Sequence, residues 1–375
     1  MSSHSSPPDL RAVVRAFPLL GHFREGAPFG SGHINDTFVV VFDQAGAPVR
    51  YLLQRVNHRI FTNVPALMDN IARVTSHAAR RAAEAGPGVD VSRCALTLVS
   101  ACDGRPYHRD ADGGWWRCYL FIERARTYDV VESPAQAAAA ARAFGEFQRL
   151  LVDLPGERLH ETIPNFHHTR RRFEALQSAI GADAHNRAAT AQAEIAWALQ
   201  HESLVDVLLR LQARGEIPER VTHNDTKLNN VMLDDATQAG VCVIDLDTVM
   251  PGVALNDFGD MVRSGTNAAA EDECDLAKVQ ARLPMFEALV QGYLSAARSF
   301  LNPAEVAHLV LSGQIITFEI GIRFLSDYLA GDVYFKIKRP RHNLERAANQ
   351  FALVRSLERQ RDAMEAIVAR HISSG

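Results

Sequence analysis

His223-Asn224-Asp225-Thr226-Lys227-Leu228-Asn229-Asn230 is the densest run of chemistry in this chain. Its spacing is H-x-D-x-x-x-x-N, and it runs into the apolar Val231-Met232-Leu233. Phosphoryl transfer asks little covalent chemistry of a protein. It needs a carboxylate that orients an acceptor hydroxyl and takes its proton, and oxygen ligands for Mg²⁺. Asp225 suits the first role, and Asn230, on a loop entering a strand, suits the second. Twenty positions after Asp225, the apolar Val241-Cys242-Val243-Ile244 ends in Asp245, which suits a second metal ligand. Lys227 is placed to reach the transferring phosphoryl group or the acceptor. Taken alone, the first motif reads equally well as a turn carboxylate beside a core histidine. The second element at this distance favours catalysis.

Two nearby patterns compete. Asp257-Phe258-Gly259 spells a metal-binding signature, but it lies 32 residues after Asp225 and follows the turn Pro251-Gly252 rather than a strand. It reads better as a helix start, with Asp257 an N-cap or a brace to the catalytic loop. Val243-Ile244-Asp245-Leu246-Asp247-Thr248-Val249 fits the D-x-D of haloacid-dehalogenase-type phosphatases, with a nucleophilic and an acid/base Asp. That motif normally opens an α/β domain near the N-terminus. Here mostly helices follow it.

Composition sets the frame. The 375 residues are 47% apolar and 22% charged, ordinary for a globular protein with ample core. Net charge is −4, so no basic excess is available for a nucleic-acid backbone. Cys94, Cys102, Cys118, Cys242 and Cys274 are odd in number and form no C-x-x-C pair. That argues against a zinc or disulfide framework and for a reducing cytoplasm. Residues 1–8 lack a secretory pattern and read as a loose tail. No apolar run is read as long enough to span a membrane.

The first third carries strand signals. Thr37–Phe42 and Val49–Arg55 flank a turn at Gln44–Pro48, which predicts a hairpin. Leu67 to about Glu84 reads as helix, and Cys94–Ala101 with Trp116–Glu123 as a further strand pair. After Ser133 the texture is helical: Pro134–Val152, with Ser133 as N-cap, then 166–211, 276–298, 303–330 and 341–371. Only a short strand patch, around 221–222, 231–233 and 241–244, interrupts it. The expectation is an α+β chain in two lobes, a strand-rich 1–125 and a helical 126–375, with the active site between them.

Phe29-Gly30-Ser31-Gly32-His33 runs into the first confident strand, and Gly30, Ser31 and Gly32 would let backbone amides approach phosphates. No G-K-[ST] follows, so this is not a Walker loop. On the next strand, the position where kinases carry a lysine holds Gln54, with Arg55 beside it. Phosphate charge must therefore be met by Mg²⁺, loop amides or another cation. Phe121-Ile122-Glu123-Arg124-Ala125 ends the last strand of this lobe and would be the hinge that offers Glu123 and Ala125 backbone groups to adenine.

His223–Asn230 with Ile244-Asp245 resembles the catalytic loop and metal-binding Asp of the aminoglycoside phosphotransferase/choline kinase superfamily. That resemblance implies a protein-kinase-like fold, Asp225 as base, and Asn230 and Asp245 as Mg²⁺ ligands. Gly30–Phe38, Tyr51–His58, His223–Asn230, Asp245–Pro251 and Gly321–Lys336 together resemble the N-acetylhexosamine 1-kinases, in which Leu53-Gln54-Arg55 also looks native. The resemblance implies ATP and Mg²⁺ as cofactors, a small sugar as acceptor, and sugar contacts from Asp36, Lys227, Arg323 and Tyr334. Read from spacing alone, Arg323 on an otherwise apolar helix pairs with a structural carboxylate, Glu319 or Asp327, more readily than with a ligand. The chain is expected to be a cytoplasmic monomer or weak dimer with no nucleic-acid or membrane partner. The alternatives are another alcohol acceptor (choline, homoserine or an aminoglycoside), a phosphatase, or a nucleotide-binding pseudokinase, which the missing strand lysine motivates and the intact Asp225, Asn230 and Asp245 oppose.

Overall fold

The computed structural model describes residues 8–30 and 34–373. Ser31 and Gly32, and the expected tail apart from Pro8, lie outside the described residues. The N-terminal part begins with α1 (Leu10–Val14), β1 (His22–Pro28), β2 (Asp36–Gln44) and β3 (Ala47–Val56). It continues through α2 (Val64–Ala83), α3 (Val91–Cys94), β4 (Leu98–Val99), β5 (His108–Arg109) and β6 (Trp115–Leu120). Then come β7 (Ala125–Arg126), α4 (Pro134–Leu150), α5 (Thr169–Ala182), α6 (Gln192–Gln200) and α7 (Val207–Ala213). The short strands β8 (Arg220–Thr222), β9 (Val231–Asp234), β10 (Gly240–Val243) and β11 (Met250–Gly252) precede α8 (Ala254–Thr266). The chain ends with α9 (Leu283–Ala297), α10 (Pro303–Ala307), α11 (Leu309–Leu329), α12 (His342–Arg359) and α13 (Arg361–Ser373). An antiparallel sheet followed by a helical part is the α+β, protein-kinase-like arrangement that the sequence predicts.

The first sheet runs β1-β2-β3-β6-β4, with β5 also on β6, and every pairing is antiparallel. The β2–β3 turn is Ala45-Gly46, both with positive φ (54° and 87°). That is the geometry of a tight two-residue hairpin turn, which matches the twist of its strands. Period-two alternation gives the sheet two faces. Val40, Phe42, Tyr51, Leu53, Trp116 and Cys118 are buried with Val13, Val14 and Phe17 of the α1 segment. The other face carries Thr37, Gln54 and Arg117 in register, and from it Arg117 reaches Asp247.

Two expectations are corrected. Cys94 lies in the short helix α3 rather than in a strand, because Asp90 caps that helix by accepting from Ser92 N–H (3.2 Å). Only Leu98–Val99 of the expected strand pairs with β6. The edge strand β1 escaped the sequence reading because it is mostly exposed and shows no alternation.

In the helical part, the alanine run of α4 lies against α9. A Cβ at Gly292 would stand 2.1 Å from the Ala138 carbonyl oxygen, so the approach requires glycine. α11 is long and apolar enough to cross a membrane by length and composition, which the reading of apolar runs overlooked. It is packed against α5, α8 and α12 and mostly buried, as a core helix is. Helix α2 starts at Asn63, whose side chain accepts from Ala66 N–H (3.2 Å). Its apolar face joins the core of α4, α8 and α9. Asn70, fully buried on α2, donates to the carbonyls of His160 (2.8 Å) and Val249 (3.0 Å) and accepts from His160 N–H (2.9 Å).

Candidate active site

The loop 223–230 joins β8 to β9, and buried polar groups hold it. His223 donates through Nε2 to the Ile244 carbonyl (2.9 Å) and accepts at Nδ1 from Asp225 N–H (3.3 Å). Those partners select the neutral Nε2–H tautomer, and Phe144 and Phe147 flank the ring edge-on. Asp257 lies in the first turn of α8, whose N-cap is Val253. Its carboxylate accepts from His223 N–H (2.9 Å), Asn224 N–H (2.7 Å) and Gln148 Nε2 (2.7 Å). Thr226 Oγ1 donates to the Asp257 carbonyl (2.6 Å). Asp257 is therefore the loop's brace and not its cap. Burial pushes its carboxyl up, against these donors.

The brace presents Asp225 toward the cleft. Lys227 Nζ lies 2.7 Å from Asp225 Oδ1, and Asn230 Nδ2 donates to Asp225 Oδ2 (3.1 Å) and to its carbonyl (2.7 Å). Burial would raise the Asp225 carboxyl, but the Lys227 ammonium outweighs it and holds that carboxyl down at about 2. Asp225 in turn raises the Lys227 pKa. Ile244 ties β10 to this loop on both sides. Its N–H donates to the Asn230 carbonyl (2.9 Å), and its own carbonyl takes the His223 bond. Asp245 follows in the left-handed region (φ 58°), which turns its side chain out of the strand. Asp245 lines the open cleft, yet crowding by protein, then Asp247 and Asp225, pushes its carboxyl up to about 6.

This donor set fits a hard cation. Among the described residues, no hydrogen-bond donor meets the Asp245 carboxylate or Asn230 Oδ1. No group of three or more His, Cys, Asp or Glu among the described residues could hold a metal by itself. One carboxylate and one amide oxygen suit Mg²⁺, which keeps water and phosphate ligands rather than a full protein cage.

The end expected to take the nucleotide departs from the pattern that kinases set, with Gln54 at the lysine position. Gly30 has φ 78° with open space where a Cβ would sit. Gln54 has protein partners at both amide atoms: Nε2 donates to Thr37 Oγ1 (3.0 Å), and Oε1 accepts from Arg117 Nε (2.9 Å). Arg117 on β6 also pairs with Asp247 through NH1, and Asn35 Nδ2 donates to the other Asp247 oxygen (2.5 Å). Arg117 and Asp247 were missed as site residues. One Arg in the apolar Trp115–Tyr119 strand and the second carboxylate of D-x-D were the available signals. The phosphatase reading of D-x-D fails here, because Asp247 is consumed by this pair and β10 lies in the small antiparallel sheet β10-β9-β7. At the hinge, Arg50 binds Glu123 (Nε–Oε1 2.9 Å) and covers Phe121 at 3.9 Å, and Phe29 meets Phe121 edge-on at 5.5 Å. The Glu123 backbone makes no hydrogen bond among the described residues, whereas Ala125 pairs with Asp234 in the β7–β9 ladder.

At the far end of the cleft, neither carboxylate expected to pair with Arg323 does so. Glu319 accepts from Thr169 Oγ1 (2.6 Å) and binds His167 Nδ1 (2.8 Å). Asp327 accepts from the N–H groups of Val333, Tyr334 and Phe335 (2.8–3.0 Å). This clamp places Tyr334 and Phe335 at 6.0 and 5.7 Å from the Arg323 guanidinium, with Phe166 at 5.1 Å. Arg323 thus has an aromatic surround and no ion pair among the described residues. His167 connects this end to the catalytic loop through Nε2 and the Asn224 carbonyl (3.0 Å), a link that nothing in the sequence signalled. Burial would lower the His167 pKa, but Glu319 raises it overall, and an acceptor faces each ring nitrogen. Asp36 opens β2 on an exposed position opposite Arg55.

Residues 25–295 match the model of the APH phosphotransferase enzyme family. The chain belongs to that family. Its fold is similar to an aminoglycoside phosphotransferase from Alicyclobacillus acidocaldarius, at 13% identity and a TM-score of 0.58, over 99% of this chain and 98% of that one. It is also similar to a choline kinase from Cryptosporidium parvum (14% identity, TM-score 0.54, 92% and 91% covered). A choline/ethanolamine kinase family protein from Mesorhizobium loti resembles it as well (17%, 0.52, 96% and 97%). The protein is therefore a phosphotransferase of that family, and its fold is similar to that of choline kinases. Asp225, Lys227, Asn230 and Asp245 fall inside the matched segment, and Arg323 and Tyr334 lie beyond it.

Proposed function

We propose that the protein transfers the γ-phosphoryl group of Mg·ATP to the anomeric hydroxyl of an N-acetylhexosamine, N-acetylglucosamine or N-acetylgalactosamine, giving the sugar 1-phosphate. The observation that carries the acceptor class is Arg323. A guanidinium with no carboxylate partner repels choline, ethanolamine and polycationic aminoglycosides, and it suits hydroxyl and acetamido oxygens. Tyr334, 57% exposed, offers a stacking face for a sugar ring, and Asp36 and Lys227 supply further hydroxyl partners.

Asp225 accepts a hydrogen bond from the acceptor hydroxyl and aims its oxygen at the phosphoryl group. A carboxylate held this acidic is a weak base, but a loose transition state asks first for alignment. An anomeric hydroxyl also gives up its proton more readily than an ordinary alcohol. Asn230 and Asp245 would hold Mg²⁺, which when bound neutralises charge on the β- and γ-phosphates. Lys227 is drawn from Asp225 toward the phosphoryl group as charge develops there. Gly30, Ser31 and Gly32 would cover the phosphates, and the backbones of Glu123 and Ala125 would face adenine, Glu123 having the free groups. In this reading residues 1–125 form the nucleotide-binding lobe and 126–375 the acceptor lobe. The protein works in the cytoplasm as a monomer or weak dimer, without nucleic-acid or membrane partners.

An ATP-consumption panel over N-acetylglucosamine, N-acetylgalactosamine, glucose, choline, homoserine and an aminoglycoside tests this. Turnover on the two N-acetylhexosamines is the expected result. Activity confined to an amino alcohol or aminoglycoside would leave the kinase assignment and overturn the acceptor.

A further inference from the structure

The strand position that usually carries a lysine holds Gln54, so the charge of that lysine has to come from elsewhere or be dispensed with. Thr37, Gln54 and Arg117 are direct cross-strand partners on β2, β3 and β6, and their side chains form one continuous hydrogen-bonded row across the cleft face of the sheet. The row ends on Asp247, whose two oxygens are taken by Arg117 and by Asn35 of the glycine-rich segment. The Arg117 and Asp247 side chains are only 1% and 5% exposed. A buried ion pair gains little net stability, because desolvation offsets the attraction. Its geometry is nevertheless strict, and together with Asn35 it ties the sheet to the turn after β10.

We propose that Arg117 is the positioning residue that takes over from the absent strand lysine. It acts from behind the metal site, fixing Asp247 and thereby the carboxylate of Asp245 two residues earlier, and it does not contact phosphate. Gln54 is the spacer that carries the row from β2 to Arg117, and Asn35, just before β2, joins the same frame. This rests on the reading of the cleft as a Mg-nucleotide site.

Calorimetric titration of the full-length protein with ADP, once with Mg²⁺ and once with EDTA, tests it without turnover. Wild-type protein is expected to bind ADP more tightly with Mg²⁺. Arg117→Met should lose about tenfold or more of that gain, the usual cost of removing a group that orients a metal ligand, and should keep its ADP affinity in EDTA. An equal loss in EDTA would put Arg117 on the phosphates and overturn the proposal, as would an undiminished Mg²⁺ gain. Asp247→Asn preserves shape while removing the charge, and it carries the same test if Arg117→Met fails to fold. Its loss should match that of Arg117→Met. The double variant should be no worse than either single one, since both act through one carboxylate, and additive losses would overturn the proposal. Wild-type protein that binds no ADP in either condition would instead break the kinase reading on which the proposal stands.

Discussion

The two ends of the cleft are built on opposite principles. Around Asp225 the loop is held by buried bonds: Asp257 holds two backbone N–H groups, His223 and Ile244 lace the loop to β10, and Arg117 anchors Asp247 nearby. Around Arg323 the guanidinium is left open among aromatic rings, and Tyr334 is largely exposed. The first end lies within the family match and the second beyond it. Chemistry that must align a phosphoryl group within a fraction of an ångström is preorganised by buried bonds. A site that sets specificity is cheaper to alter, and the proposed one is carried on a late helix and the loop that follows it.

That contrast can be broken most directly at Asp225. Asp225→Asn should lower turnover by about 10²–10⁴-fold while ADP binding, followed by calorimetry, persists. Surviving turnover would remove Asp225 as the base. Arg323→Ala should raise the acceptor KM about tenfold to a hundredfold, as for lost charge-assisted hydrogen bonds, with the ATP KM unchanged. A matching rise in the ATP KM would mean that the two ends are not separable. Asp257→Asn should cost about 1–3 kcal/mol of stability in denaturant unfolding, because a buried acceptor of two backbone N–H groups is altered. No loss would show that the brace is dispensable.

The smallest effect concerns pH. Asp245 has its carboxyl raised to about 6, above the ordinary carboxylate value, so its ionised form is disfavoured in the metal-free fold. Below that pH the proton relieves the strain, and above it the charge is held at a cost that Mg²⁺ removes. Mg²⁺ should therefore raise the melting temperature more at about pH 7.5 than at about pH 5. Equal gains would take Asp245 out of the metal site.

Local signals were legible and relayed ones were not. The H-x-D-x-x-x-x-N spacing and the apolar strand ending at Asp245 mark groups whose placement is set within a few residues, and the structure ties Asp225 to Asn230 and Asn230 to Ile244. The β2–β3 hairpin and the Ser133 cap of α4 were readable for the same reason. Arg117, Asp247, His167 and Asn70 act through partners 57–212 positions away, and nothing in a linear pattern marks such pairings. Arg323 shows the limit from the other side. Its nearest carboxylates on the helix are the right chemistry at the right spacing, but both are engaged by loops that only the fold brings there.

The anchoring of α2 has a consequence for control. In many two-lobed kinases the helix behind the first hairpin swings, and its displacement is an off switch. Here Asn70 fastens that helix to His160 and Val249 by three bonds, and its apolar face is part of the core of α4, α8 and α9. Withdrawing it would strand a buried amide and two carbonyls and open the main core. Displacing this helix is therefore costly, because buried hydrogen bonds and core packing hold it at once.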